Sequence, residues 1–164
     1  MTTESAIDPS LERMTESWQV LEQQAPALAS YGKTRLDGKV AYLATIRQSG
    51  WPRTHPVTPI IGAGRCFFFA DPDSPKVKDI LSVGKYCLHC GMSDNSGSSG
   101  EFQITGVAVH VTDPQIRSEA EAVSNFRPAS RFVLFELRLG EVLATAYPGG
   151  RADRQRWQAL PLSR

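Results

Sequence analysis

Between Val40 and Lys76 the chain reads VAYLATIRQSGWPRTHPVTPIIGAGRCFFFADPDSPK, and few folds accept that order of runs and breaks. Val40 to Ile46 is apolar and rich in strand formers, Ser49-Gly50 supplies a turn, and Pro52 to Ile61 is a second run. Gly62 to Gly64 then turns the chain into Arg65 to Phe69. Connections this short join antiparallel neighbours, so the segment predicts two successive hairpins. The third run ends in Asp71-Pro72-Asp73-Ser74-Pro75-Lys76, where a hydroxyl and an ammonium stand two residues apart at the opening of a helix. A loop of that composition is suited to holding a phosphate.

The rest of the chain supplies the partners such a sheet needs. Leu11, Met14, Trp18, Leu21 and Leu28 fall near helical spacing, with a start signal at Asp8-Pro9-Ser10 and an interruption at Pro26, which predicts two short helices covering one end of the sheet. Within them Trp18 reads as a packing residue. A short two-faced helix is expected over 76–83, ended by Gly84, and a strand over 85–91. Met92 to Gly100 (MSDNSGSSG) has almost no apolar content and predicts a mobile hairpin loop. A long alternating strand over 103–111, a helix over 114–125 and a long strand or strand pair over 131–146 complete the reading.

Composition narrows the function classes. At 164 residues the chain makes one domain, able to bury about 70% of its unfolded surface without disulfides or a structural metal. A formal net charge of +1 gives no electrostatic case for nucleic acid. The apolar runs are strand-sized and the first residues, MTTESAIDPSLER, are polar, so neither a membrane span nor an export signal is expected and a cytoplasmic location is. Cys87, His89 and Cys90 crowd three metal-ligating side chains into four residues. On a strand, however, Cys87 and His89 share one face while Cys90 points to the other, and no second ligand pair accompanies them. No Ser/His/Asp set, His-Glu-x-x-His, dinucleotide fingerprint or P-loop is present either.

Six or so short-linked strands with few polar faces favour an antiparallel sheet closing into a barrel. The motifs in that sheet resemble those of the flavin-binding split β-barrel family related to pyridoxamine 5′-phosphate oxidase. The matching features are Pro52, His55 in the place of an arginine, the continuation Pro56-Val57-Thr58, the aromatic strand Phe67-Phe68-Phe69, Ser74-Pro75-Lys76 as Ser-x-Lys, and Glu101 to Ala108 as a later strand containing Gly. The resemblance covers roughly residues 38–113. It implies a mainly β chain with flanking helices: a six-stranded antiparallel split barrel over 38–147, an N-terminal helical segment over 1–37 packed on it, and a C-terminal tail over 148–164.

The same resemblance implies a cofactor and its seat. Lys76 and Ser74 would hold the phosphate of flavin mononucleotide (FMN), with Lys78 adding charge at the rim. The strand Arg53-Thr54-His55-Pro56-Val57-Thr58 would face the flavin ring, and Arg53 would make up for the shorter His55. Phe69 and Ala70 would line the ribityl chain, and Glu101 stands where a ring-contacting glutamine is expected; a carboxylate accepts there but cannot donate. The closing Arg-Leu-x-Pro signature of the oxidase is missing, so pyridoxamine phosphate oxidation is not expected. What the resemblance implies instead is a flavin-dependent oxidoreductase acting on a small molecule, as a homodimer with cofactor sites at the interface. Two alternatives stay open: a reductase using the deazaflavin coenzyme F420, and a non-catalytic flavin or haem binder whose axial ligand would be His55, His89 or His110.

Overall fold

The computed structural model describes residues 7–159. Three helices come first, α1 (Pro9–Glu12), α2 (Trp18–Gln24) and α3 (Pro26–Leu36), where the sequence predicts two. Pro26 does not merely interrupt the pattern. It occupies the first turn of α3, where a missing N–H costs nothing, so the same residue that stops α2 starts the next helix. Trp18, Leu21, Leu28, Ala29 and Leu36 are buried, which makes Trp18 a core residue. The Phe102 ring lies 6.2 Å from that of Trp18 and 6.1 Å from that of Tyr31. A side chain at Gly32 would enter the Phe102 ring, which explains a glycine inside α3.

The sheet follows as β1 (Ala41–Ile46), β2 (Pro52–Val57), β3 (Ile60–Gly62) and β4 (Arg65–Ala70), then α4 (Pro75–Ser82), β5 (Lys85–Cys90), β6 (Glu101–Val111), α5 (Pro114–Val123), β7 (Val133–Ala146) and β8 (Asp153–Gln158). All pairings are antiparallel, and the described residues form eight strands rather than the expected six. One extra strand arises because the run from Pro52 to Ile61 breaks at Thr58-Pro59: β2 pairs with β1, while β3 pairs with β4. The other comes from the segment expected as a tail, where β8 pairs with β7.

Strand order explains the curvature. The order β2-β1-β5-β6-β7-β4-β3 puts β2 and β3 at opposite edges, although only Thr58 and Pro59 separate them in the chain. Val57 and Ile60 therefore lie within roughly 11 Å of each other. A flat sheet of seven strands cannot satisfy that, so it curls until its edges meet at an unpaired seam. Leu43, Phe68, Leu88, Ile104, Phe135 and Leu137 fill the interior. The open sheet with flanking helices is consistent with a split barrel.

One edge of β7 is shared among several partners. β4 takes Val133 to Glu136, β8 takes Glu141 to Ala146, and between them Glu16 exchanges two backbone hydrogen bonds with Leu139 (2.9 and 2.8 Å). The register against β6 shifts between Thr105, which pairs with Glu141, and Gly106, which pairs with Leu139, leaving Gly140 as the extra residue of β7. A Cβ on Gly106 would collide with the carbonyl oxygen of Arg138, so this bulge requires glycine. The 92–100 segment is better tethered than its composition suggests. Arg35 donates to the carbonyls of Gly91 (2.9 Å), Ser99 (2.6 Å) and Gly100 (2.9 Å), and the Asp94 carboxylate accepts from the backbone of Gly97 and Ser99. Among the described residues no helix is long and apolar enough to cross a membrane.

Candidate functional site

The seam between β2 and β3 opens beside the polar loop that precedes α4. Pro56 and Val57 at the end of β2, Phe69 and Ala70 at the end of β4, the following Thr58 and Asp71, and Lys76 line a cleft of about 370 Å³, together with Val40, Phe126 and Phe132. That volume is in the range of small-ligand sites. Phe69 is half-buried because the residues after α5 cover it: the Phe126 ring meets it edge-on at 6.2 Å and 81°.

Lys76 is the cation of this cleft. Its Nζ donates to Ser74 Oγ at 2.8 Å, and among the described residues it forms no ion pair. Burial lowers its pKa, and the charge of Asp71 opposes that shift. Ser74 is the N-cap residue of α4, but its side chain bonds no backbone amide of the helix, which leaves the hydroxyl to Lys76. A lysine in the first turn sits against the positive end of the helix dipole, an arrangement that an anion relieves.

Arg53 and His55 sit beside this group on the inward face of β2, opposite Thr45 and Leu43 of β1. Asp79 of α4 is buried beneath them. Its Oδ2 accepts from the Thr45 hydroxyl at 2.7 Å and from Arg53 Nε at 3.0 Å, while His55 Nε2 lies 3.5 Å from Thr45 Oγ1. Burial, then the charges of Lys76 and Arg53, hold the His55 imidazole below its usual pKa, with Asp79 acting the other way. Arg53 and His55 thus gather around one buried carboxylate, and Lys76 adds its charge from the cleft side of α4. This donor set fits a phosphate: one half-buried ammonium with only a hydroxyl partner, one guanidinium using a single nitrogen internally, and an imidazole that a bound anion would draw toward its protonated form.

The remaining sequence candidates are placed elsewhere. Thr54 points outward from β2 and is exposed. Glu101 lies on the outer sheet face, where its Oε1 is 3.0 Å from His89 Nε2, and it borders a separate cleft of about 310 Å³ with Gln103, Leu143 and Arg156. Lys78 is exposed. Cys87 and His89 share the outer face, whereas Cys90 is buried and accepts a hydrogen bond from the Phe102 amide at 3.3 Å. Among the described residues no three His, Cys, Asp or Glu side chains converge as a metal site would need. Sequence reasoning missed Asp79, which reads as part of the polar face of α4, and missed Phe126 and Phe132. Their signal was present: two aromatic residues in a short segment otherwise made of Ser, Asn, Arg, Pro and Ala.

The chain matches no protein-family model and no curated protein. Solved structures do share its fold. A NimC/NimA family protein from Clostridium acetobutylicum aligns with a TM-score of 0.62 at 15% identity, covering 85% of this chain and 96% of that one. A heme-binding protein from Mycobacterium smegmatis aligns with a TM-score of 0.61 at 14% identity over 93% of this chain, which spans only 58% of that protein. PhzG from Burkholderia lata, solved with tetrahydrophenazine-1-carboxylic acid, aligns at 0.51 and 15% identity over 93% of this chain and 99% of its own. These are split-barrel proteins, and at such identities the likeness extends to fold.

Proposed function

We propose that the chain binds FMN with its phosphate at Lys76 and works as a flavin-dependent oxidoreductase on a small molecule. The observation that carries this reading is Lys76, half-buried in a ligand-sized cleft with Ser74 as its hydrogen-bond partner and two further basic side chains close by. FMN, when bound, supplies the hydride and electron transfer. The chain's own residues bind and shield. Lys76 and Ser74 neutralise the phosphate, with Arg53 and His55 adding positive field. As an edge strand paired only to β1, β2 leaves the backbone groups of its other side free to meet polar ring atoms. Phe69 and Phe126 limit access of water.

Haem binding is the second reading, favoured by the heme-binding protein of the same fold. Of the three histidines His89 has its Nδ1 2.7 Å from the Cys90 carbonyl, which would orient the ring as a ligand, and a haem iron would have to displace Glu101 Oε1, 3.0 Å from its Nε2. Titration of the purified apo protein with FMN, the deazaflavin coenzyme and haem, followed by nicotinamide donors, separates the readings. The expected result is tight FMN binding and a bleached flavin band on reduction. A Soret band on haem addition without retention of FMN overturns the flavin assignment.

Assembly as a homodimer belongs to the same proposal. The outer face of β1, β5, β6 and β7 presents Tyr42 and Leu143, 49% and 38% exposed, with His89 and Gln103 in register between them, and Ala44 and Cys87 in the row beside. Exposed apolar side chains interleaved with polar ones on a sheet face are the mixture that protein interfaces carry. Sedimentation should give twice the chain mass, and Leu143→Arg should shift the protein toward single chains. A wild-type protein that sediments as one chain at tens of micromolar would exclude the dimer.

A further inference from the structure

Lys76 accounts for the charge of the cleft, and part of its lining is aromatic. Phe126 and Phe132 line it, and both come from the segment between α5 and β7, which carries no regular structure of its own. That segment is fixed nonetheless. Arg117 of α5 donates from Nη1 to the carbonyl of Phe132 at 2.6 Å, and Nη2 lies 3.5 Å from the carbonyls of Ala129 and Ser130. Its Nε bonds Glu121 at 3.0 Å, and its guanidinium carbon lies 5.4 Å from the Phe69 ring centroid. One side chain thus ties the covering segment to the strand end beneath it. Phe126 is 39% exposed although it meets Phe69 edge-on, so it keeps a free surface on the cleft side.

We propose that residues 124–132 form a fixed aromatic wall that grips the planar, ring-bearing part of the ligand whose phosphate Lys76 takes, and that Arg117 is the positioning residue of this wall. The inference rests on the phosphate seat described above. It commits to an aromatic phosphomonoester because Phe126, Phe132 and Lys76 line one cleft: a purely anionic ligand would leave the aromatic lining unused, and an uncharged ring would leave the lysine without its anion.

Fluorescence titrations with FMN and with riboflavin, and competition of FMN by inorganic phosphate, test the wall apart from the seat. Phe126→Ala should weaken FMN and riboflavin by the same factor, about tenfold, the upper range for loss of an aromatic pair. It should leave competition by inorganic phosphate unchanged and shift the melting temperature by less than about 4 °C. Phe126→Tyr should retain both flavins. Arg117→Met should match Phe126→Ala in its flavin losses and alter the quenching of bound flavin, and Arg117→Lys should not restore it, since an ammonium cannot span the carbonyls and the Phe69 face together. Unchanged flavin affinities in Phe126→Ala, with Lys76→Ala selectively losing FMN, would overturn the wall and leave the seat standing. An unchanged FMN affinity in Lys76→Ala would remove the seat and the wall with it.

Discussion

Lys76→Ala is expected to weaken FMN binding by about 30- to 100-fold while changing riboflavin binding less than about threefold. A hydrogen bond to a charged group contributes roughly 1.5–3 kcal/mol, and a half-buried ammonium facing a dianionic phosphate belongs at the upper end of that range. The lysine is already half-buried in the free protein, which lowers its pKa, so the anion gains a partner at a reduced cost of stripping it from water. Ser74 holds the Nζ in place at 2.8 Å. Riboflavin lacks the phosphate and should report only changes at the ring. Comparing the two ligands by fluorescence quenching is therefore internally controlled. Equal losses for both would mean that Lys76 supports the cleft wall and is no phosphate ligand, and Lys76→Arg, which keeps the charge, should recover most of the FMN affinity if the charge is what matters.

The sequence exposed some parts of this site and hid others for physical reasons. Strand periodicity, the turn at Ser49-Gly50 and the Pro75-Lys76 helix start are local signals, and each stands within a residue or two of its expected place in β1, β2 and α4. Pro59 was harder to read: a proline can sit within an edge strand or end it, and only the pairing of Ile60 with Phe67 in β4 decides that the run breaks there. β8 reads as a polar tail because five of its six residues, Asp153 to Arg156 and Gln158, are polar, and Trp157 alone turns inward, its indole N–H bonding Gln24 at 2.8 Å. Asp79 follows the same logic in reverse. A carboxylate on an amphipathic helix is expected in water, and it is buried here because Arg53 and Thr45, distant in sequence, wait on the strands below. Motif-level likeness pointed to Lys76 and Phe69, whereas Glu101 and Thr54 matched by position and lie on surfaces away from the cleft.

Asp79→Ala should destabilise the fold by about 2–4 kcal/mol, because removing one member of a buried pair strands the other. The figure sits below the range for a fully buried pair because the Arg53 side chain is 29% exposed and part of its charge returns to water. For a chain of this size the melting temperature should fall by about 5–12 °C. Thr45, fully buried, would keep only the distant His55 nitrogen as a side-chain partner, and that hydroxyl is the second source of the loss. Asp79→Asn retains the volume and one acceptor, so its cost should be smaller. The decisive measurement is a double-mutant cycle with Arg53→Met: if the pair holds α4 against β1 and β2, the double variant loses clearly less than the sum of the single ones. Additive losses would show that Asp79 acts through Thr45 alone. FMN affinity, measured well below the melting transition, should survive Asp79→Ala, because Lys76 and Ser74 lie on the cleft side of α4 and do not hydrogen-bond Asp79. Asp79 then anchors the helix that presents the lysine, and Lys76 with Ser74 takes the anion in the added field of Arg53 and His55.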